Sequence, residues 1–189
     1  MTRIVICTTL KEMGPRLKES PDFHCGINLS SSDVLDATLC DFLEREVRNN
    51  GLDPRQIILE ITERSSADPA QLMVSMESFR SRGYEFFLDD FGTGYSNLSY
   101  LAKLPIKGIK LDRMFTQAIG KEAMGSTIAE NVCTVANALN LQLIVEGIET
   151  EEQAAYINGL NATAIGQGWL YGKPAPARRV QIGASTIPP

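Results

Sequence analysis

The chain has 189 residues, 43% of them hydrophobic, and a net charge of −5, so it can form a real core as one domain. The negative charge argues against a nucleic-acid duplex or an anionic membrane as partner, and no apolar run is long enough to span a membrane. Its four cysteines (Cys7, Cys25, Cys40 and Cys133) include no Cys-x-x-Cys pair and His24 is the only histidine, which argues against a Cys/His zinc site. We expect reduced thiols and a cytoplasmic protein.

Apolar runs alternate with helical patterns along the chain, and the prolines, glycines and capping residues mark their ends. The predicted strands are 23–29, 57–61, 86–88, 108–112, 141–145 and 163–165. The predicted helices are 3–19 (bent or interrupted near Gly14-Pro15), 30–49, 68–83, 96–103, a long helix through 128–139, and one that begins at Thr150. Ser30, Ser32 and Asp33 are candidate caps for the second of these, and Thr150 forms a capping-box pattern with Gln153 at the start of the last. Such alternation predicts an α/β fold with a parallel sheet over residues 1–176, followed by an irregular tail, 177–189.

Polar side chains fall at or just beyond the carboxyl ends of these strands. They are Asn28, Glu60, Asp89, Asp90, Lys110, Glu146, Glu149 and Gln167. In a β/α barrel this edge is the functional face, whereas a doubly wound sheet places its site mainly at one switch point. Acids contributed by strand after strand favour the barrel.

The four carboxylates at this edge (Glu60, Asp89, Asp90 and Glu146) would repel one another unless cations lie between them. Two hard divalent ions, Mg²⁺ or Mn²⁺, would relieve the repulsion, and such a pair can bind a phosphodiester and activate water. The alternative for Asp89 and Asp90 is a solvated strand end followed by a helix cap.

Other polar residues each allow two interpretations. Lys110 either orients the attacking water and offsets charge, or forms a structural ion pair with Glu146 or Asp112. Asn28 is either a metal ligand or a helix cap, and Glu63 either holds the glycine-containing loop or caps a helix. Gln167 is either a ligand-binding amide or a turn residue.

Together these motifs resemble the EAL family, the bacterial phosphodiesterases that linearise cyclic di-GMP to pGpG. The matching segments are Asn28-Leu-Ser, Leu59-Glu60-Ile-Thr-Glu63, Asp89-Asp90-Phe-Gly-Thr-Gly-Tyr-Ser96, Ile109-Lys110-Leu-Asp112, Glu146-Gly-Ile-Glu149-Thr and Gln167-Gly. They occur in order between about residue 20 and residue 176.

The resemblance implies a TIM-type barrel, a hydrolysis that needs Mg²⁺ or Mn²⁺ at a two-metal site, and cyclic di-GMP as substrate. It also implies roles for individual residues. By motif position the metal ligands are Asn28, Glu60, Asp89, Asp90 and Glu146. Lys110 would contact the catalytic water, Glu149 and Gln167 would complete the site, and Glu63 would brace the loop 91–96, which couples metal binding to dimer contacts. Asn97 replaces a serine common in the family.

One departure is larger. The Glu-Ala-Leu motif and its arginine, a metal ligand and a phosphate-binding group in the family, are absent from this sequence. We therefore expect about six of eight barrel strands, weakened activity, and open sheet edges at 23–29 and 163–166. Such edges favour a homodimer or a swapped assembly, or an N-terminal segment that folds across the gap. The alternative function is a catalytically inactive EAL-like regulator that binds cyclic di-GMP or a protein partner.

Overall fold

The structure is a computed structural model, and it describes residues 1–62, 68–92, 101–119 and 123–180. The helices are α1 (Thr2–Glu19), α2 (Ser31–Leu35), α3 (Ala37–Asn49), α4 (Pro69–Arg80), α5 (Arg113–Ala118), α6 (Ala123–Ala138) and α7 (Glu151–Leu160). The strands are β1 (Cys25–Leu29), β2 (Ile57–Thr62), β3 (Glu85–Phe91), β4 (Gly108–Leu111), β5 (Gln142–Val145) and β6 (Ile165–Gly166). They follow one another in chain order across a six-stranded sheet.

The chain divides into two compact units. The first comprises Met1–Phe87 and Ala175–Ala184, and the second comprises Leu88–Pro174 and Ser185–Pro189. In the first unit β1 pairs in parallel with β2, and in the second β4 pairs with β5 and β5 with β6, also in parallel. Helices between parallel strands are what an α/β fold requires, so the predicted class is confirmed.

The amino-terminal helix of the first unit is anchored at its carboxyl end by a glutamine. Helix α1 continues through Pro15 without the interruption that the sequence suggested. Gln56, which is buried, donates from Nε2 to the carbonyl oxygens of Leu17, Ser20 and Phe23 at 2.9, 3.0 and 3.1 Å. Because the last carbonyls of a helix lack partners within it, these bonds fix the turn that leads into β1.

The helix predicted over 30–49 is in fact two helices. Ser30 and Asp33 form a reciprocal capping box at the start of α2. Asp36 then adopts an extended backbone conformation and accepts a hydrogen bond from the Thr38 amide, so it ends α2 and caps α3. The capping propensity of aspartate outweighs helix continuation here.

In the second unit, aspartate and threonine caps set the starts of the helices. Asp112 follows β4 directly and caps α5 by accepting from the Met114 amide at 2.8 Å, a short helix that the sequence analysis missed. The predicted capping box of Thr150 and Gln153 is confirmed at the start of α7. Most of the helix predicted over 96–103 lies outside the described residues.

Strand β3 is longer than predicted. It extends to Phe91, so Asp89 and Asp90 lie within the strand rather than after it. Asp90 has a φ of 56°, a left-handed conformation that aspartate tolerates better than most residues. Phe91, the next residue, is buried, which explains why the strand continues past two carboxylates. Among the described residues, no helix has the length and apolar character needed to cross a membrane.

Candidate functional site

A buried lysine bridges two carboxylates in the second unit. Lys110 Nζ lies 2.7 Å from Glu146 Oε1 and 3.2 Å from Asp89 Oδ1. The side chain of Lys110 is only 5% exposed, and those of Asp89 and Glu146 are 14% and 21% exposed. Each of the three comes from a different strand or strand end. The structure therefore joins three residues that the sequence analysis placed together.

Strand register explains how Lys110 and Glu146 meet. Lys110 stands opposite Ile144 in the parallel pairing of β4 and β5. Side chains two residues apart on a strand share a face, so Glu146, which follows β5, continues the face of Ile144. This contact is also the ion pair that the sequence analysis gave as the alternative for Lys110. Asp112, the other partner considered there, caps α5 instead.

The carboxylate cluster of Asp89, Asp90 and Glu146 carries excess negative charge. Burial, and then the neighbouring charges of Asp89, Asp112 and Glu146, raise the pKa of Asp90 above its ordinary value. Asp89 Oδ1 is buried and accepts no hydrogen bond from the described residues, although Lys110 lies at ion-pair distance. A buried carboxylate oxygen that accepts no hydrogen bond from these residues fits a hard divalent cation, which binds oxygen ligands.

Asn28 and Glu60 are brought together in the first unit. They are direct partners in the parallel register of β1 and β2. Ile27, Leu29, Leu59 and Ile61 alternate with them and are buried, so the two polar side chains share the less buried face of this strand pair.

A glycine that the sequence analysis did not single out shapes the position of Glu60. A Cβ atom at Gly26 would lie only 2.3 Å from Glu60 Oε1, so the carboxylate occupies space that exists because residue 26 has no side chain. Burial, followed by the charge of Glu60, raises the pKa of Cys25 beside it. The available signal was a glycine inside a strand, which often marks a close approach by another group.

Glu149 and Gln167 lie on adjoining segments of the second unit. The backbone N–H of Gln167 donates to the Val145 carbonyl oxygen at 2.8 Å, and the backbone N–H of Ile148 donates to the backbone carbonyl oxygen of Gln167 at 3.0 Å. Both side chains are exposed, and Glu149 accepts a hydrogen bond of 3.4 Å from Gln117. Hydrogen bonds thus hold the backbone of these segments in position, while the two side chains are accessible to a ligand.

The turn between Glu146 and Glu149 requires a glycine. Gly147 has a φ of +72°, and a Cβ there would lie 2.5 Å from the Cβ of Arg113. A side chain would therefore be strained by the backbone conformation and would also clash.

Other predicted site residues cannot be placed. Glu63, Asn97 and most of the loop 91–96 lie outside the described residues. Within the described parts of the chain, no group of three or more His, Cys, Asp or Glu side chains is arranged to hold a metal ion. Of the predicted site residues, the structure brings together Asn28 and Glu60 in the first unit. It brings together Lys110, Asp89 and Glu146 in the second unit.

Comparison with known proteins identifies the family. The EAL domain family model matches residues 1–174. PdeB of Escherichia coli K12, named a probable cyclic di-GMP phosphodiesterase, is 35% identical over 176 residues, which are 93% of this chain and 33% of PdeB. The chain therefore spans about a third of the length of this curated relative.

Solved structures agree with this match. The MucR phosphodiesterase of Pseudomonas aeruginosa, in a c-di-GMP complex, is 31% identical with a TM-score of 0.87 over 94% of this chain and 72% of that chain. The EAL domain of Mycobacterium smegmatis DcpA is 29% identical with a TM-score of 0.87 over 94% of this chain and 81% of that chain. The expected likeness to a TIM-type β/α fold is confirmed. This chain belongs to the EAL domain family.

Proposed function

We propose that this protein is a metal-dependent phosphodiesterase that hydrolyses cyclic di-GMP to pGpG. The observation that carries the proposal is the buried contact of Lys110 with both Asp89 and Glu146, beside a third acid whose pKa is raised. Perturbed acids clustered with a buried lysine are typical of catalytic sites. Relatives that are named as cyclic di-GMP phosphodiesterases support the substrate.

The proposed cofactor is Mg²⁺ or Mn²⁺ at a two-metal site. The proposed ligands are Asn28, Glu60, Asp89, Asp90 and Glu146. These side chains offer carboxylate and amide oxygens, which are the ligands that both ions prefer. When bound, the cations would polarise a phosphoryl oxygen and lower the pKa of a bound water.

Lys110 has two functions in this proposal. Its ammonium group holds Asp89 and Glu146 in place, because it is buried and contacts both carboxylates. It also keeps a positive charge where negative charge develops on the phosphoryl group during attack by water. Glu149 and Gln167 are exposed nearby on the adjoining segments and would orient the nucleotide. Glu63 is proposed to brace the loop that follows Asp90.

The proposal is tested by incubating the protein with cyclic di-GMP and Mn²⁺ or Mg²⁺ and separating the products by chromatography. We expect pGpG to form, and Asp89→Asn to lower kcat by about a hundredfold or more, since it removes charge at the reacting centre. Asp22→Asn, which changes an exposed carboxylate in the first unit, is the matched control and should retain full activity. Binding of cyclic di-GMP without turnover would refute the enzyme and support the inactive regulator.

We also propose that the protein forms a homodimer. In the strand order, β1 and β6 stand at the two ends of the sheet. End strands present backbone groups that can pair with another chain. Light scattering coupled to size-exclusion chromatography should give twice the monomer mass at micromolar concentration, and a monomer mass at all concentrations would refute the dimer.

A further inference from the structure

A buried glutamine is hydrogen-bonded to the backbone of the turn that ends in Glu149. Gln153 lies in the first turn of α7 and is 8% exposed. Its Oε1 accepts hydrogen bonds from the backbone N–H groups of Glu149 and Thr150 at 2.8 and 3.1 Å. A capping box accounts for the bond to Thr150, because it joins this side chain to the backbone of the capping residue. The bond to Glu149 is additional, and it extends the cap to a proposed site residue.

The nitrogen of the same side-chain amide binds a different helix. Gln153 Nε2 donates to the backbone carbonyl oxygen of Thr116 in α5 at 3.1 Å, and Thr116 is fully buried. A rotated amide would direct its NH₂ group at two N–H donors, so these partners allow only one orientation of the side chain. One amide therefore ties the turn before α7 to α5.

Two further contacts join α5 to this turn. A Cβ atom at Gly147 would lie 2.5 Å from the Cβ of Arg113, so the turn and the start of α5 are closely packed. Gln117 Nε2 donates to Glu149 Oε1 at 3.4 Å. Helix α5 follows β4, the strand that contains Lys110. The position of the turn is thus linked to the part of the chain that carries the proposed catalytic lysine.

We propose that Gln153 is a positioning residue for Glu149. It acts through the backbone, because its amide fixes the turn to α5, and the exposed Glu149 carboxylate is then presented to the nucleotide at a defined place. The inference rests on the proposed function, in which Glu149 orients the nucleotide. A displacement of about 1 Å can cost an enzyme about a hundredfold in rate, so a fixed backbone under an exposed site residue has a direct effect on turnover.

The test compares Gln153→Met with Gln56→Met, a matched pair. Gln56 is also buried and also makes three hydrogen bonds to the backbone, but it lies in the first unit. Methionine keeps the length of the side chain and removes these bonds, so both variants should melt below the wild type by similar amounts. At a temperature where circular dichroism shows both variants folded, we expect Gln153→Met to lower kcat about tenfold with KM within about twofold of the wild type. Gln56→Met should keep the wild-type kcat.

A double-mutant cycle with Glu149→Gln separates positioning from general stability. If Gln153 acts through Glu149, the variant with both changes should have the kcat of Glu149→Gln alone, whereas independent losses would multiply. Gln153→Glu is the milder second variant if Gln153→Met fails to fold. At pH 8 its carboxylate still accepts from the two N–H groups but cannot donate to the Thr116 carbonyl, so its kcat should lie between those of the wild type and Glu149→Gln.

Equal kcat values for Gln153→Met and Gln56→Met, or multiplied losses in the double variant, would overturn the positioning role. A wild type that does not hydrolyse cyclic di-GMP would refute the proposed function. Hydrogen exchange of the Glu149 backbone N–H then decides the remaining question. Faster exchange in Gln153→Met than in Gln56→Met would support a turn held by Gln153, and equal exchange would overturn it.

Discussion

Replacing Lys110 by methionine tests whether the carboxylate cluster is built for a cation. Lys110 contacts Asp89 and Glu146 and is 5% exposed, so its removal leaves two largely buried carboxylates without their ammonium partner. Breaking a buried ion pair by removing one partner costs about 3–5 kcal/mol. For a chain of this size about 1 kcal/mol corresponds to roughly 2–4 °C in Tm. In EDTA we therefore expect Lys110→Met to melt about 10 °C below the wild type.

The same variant should gain more from a divalent ion than the wild type does. A bound ion stabilises the folded state by RT ln(1 + [L]/Kd), and the removal of a competing ammonium group should strengthen binding. An approximately tenfold lower Kd for Mn²⁺ corresponds to about 1.4 kcal/mol. The difference in Tm between Lys110→Met and the wild type should consequently be about 3–6 °C smaller in saturating Mn²⁺ than in EDTA. Scanning calorimetry in EDTA and across a Mn²⁺ series measures both quantities.

Lys103→Met is the control, because Lys103 is an exposed lysine of the second unit. It should melt close to the wild type with and without Mn²⁺. If Lys110→Met shows the same deficit in EDTA and at every Mn²⁺ concentration, the carboxylates do not take up an ion and Lys110 is a structural ion-pair partner only.

Three further substitutions test how the site is built. The pKa of Asp90 is higher in the folded protein than in the unfolded chain, so neutral Asp90 favours the folded state. This contribution to stability is fully present below the ordinary pKa of aspartate and is lost as pH rises through the raised pKa of the folded state. Asp90→Asn should thus stabilise the metal-free protein at pH 7, since asparagine also tolerates a left-handed backbone. The gain in unfolding free energy, measured by urea denaturation, should vanish towards pH 3. A gain independent of pH would contradict a raised pKa at Asp90. Gly147→Ala should lose about 2–3 kcal/mol of unfolding free energy, since it must adopt a positive φ against Arg113, and an unchanged denaturation midpoint would show that the turn can relax. Gly26→Ala should cost less than about 1 kcal/mol, because only the end of the Glu60 side chain must move, and a larger loss would mean that this carboxylate is rigidly held.

Local sequence signals predicted much of the secondary structure correctly. The capping box at Thr150 and Gln153 and the caps near Ser30 are decided by residues within one turn, so the sequence alone contains them. The break at Asp36 was missed because helix periodicity and capping compete there, and packing decides between them. Helix α5 was missed because a helix of six residues is too short to show a period.

The site was only partly predictable for a different reason. Acids at strand ends could be listed from the sequence, and the Lys110 ion pair with Glu146 was one of two stated alternatives. The contact with Asp89 depends on how far β3 continues, which the burial of Phe91 determines. The space above Gly26 that Glu60 occupies depends on side-chain conformation across two strands, and no pattern along one strand contains that information.

The features of the second unit that cost stability are concentrated where function is proposed. Asp89 has a buried oxygen that accepts no hydrogen bond from the part of the chain that the structure describes. Asp90 combines a left-handed backbone with a raised pKa, and Gly147 occupies a turn in which a Cβ atom would clash with Arg113. A structural role would need only one acid for Lys110, and apolar residues in place of a buried ion pair are often at least as stable. Two acids around one lysine, with a third destabilised beside them, are instead expected where charge must be available to a ligand. This costly arrangement favours a cation-binding catalytic site over an ion-pair cluster with a purely structural role.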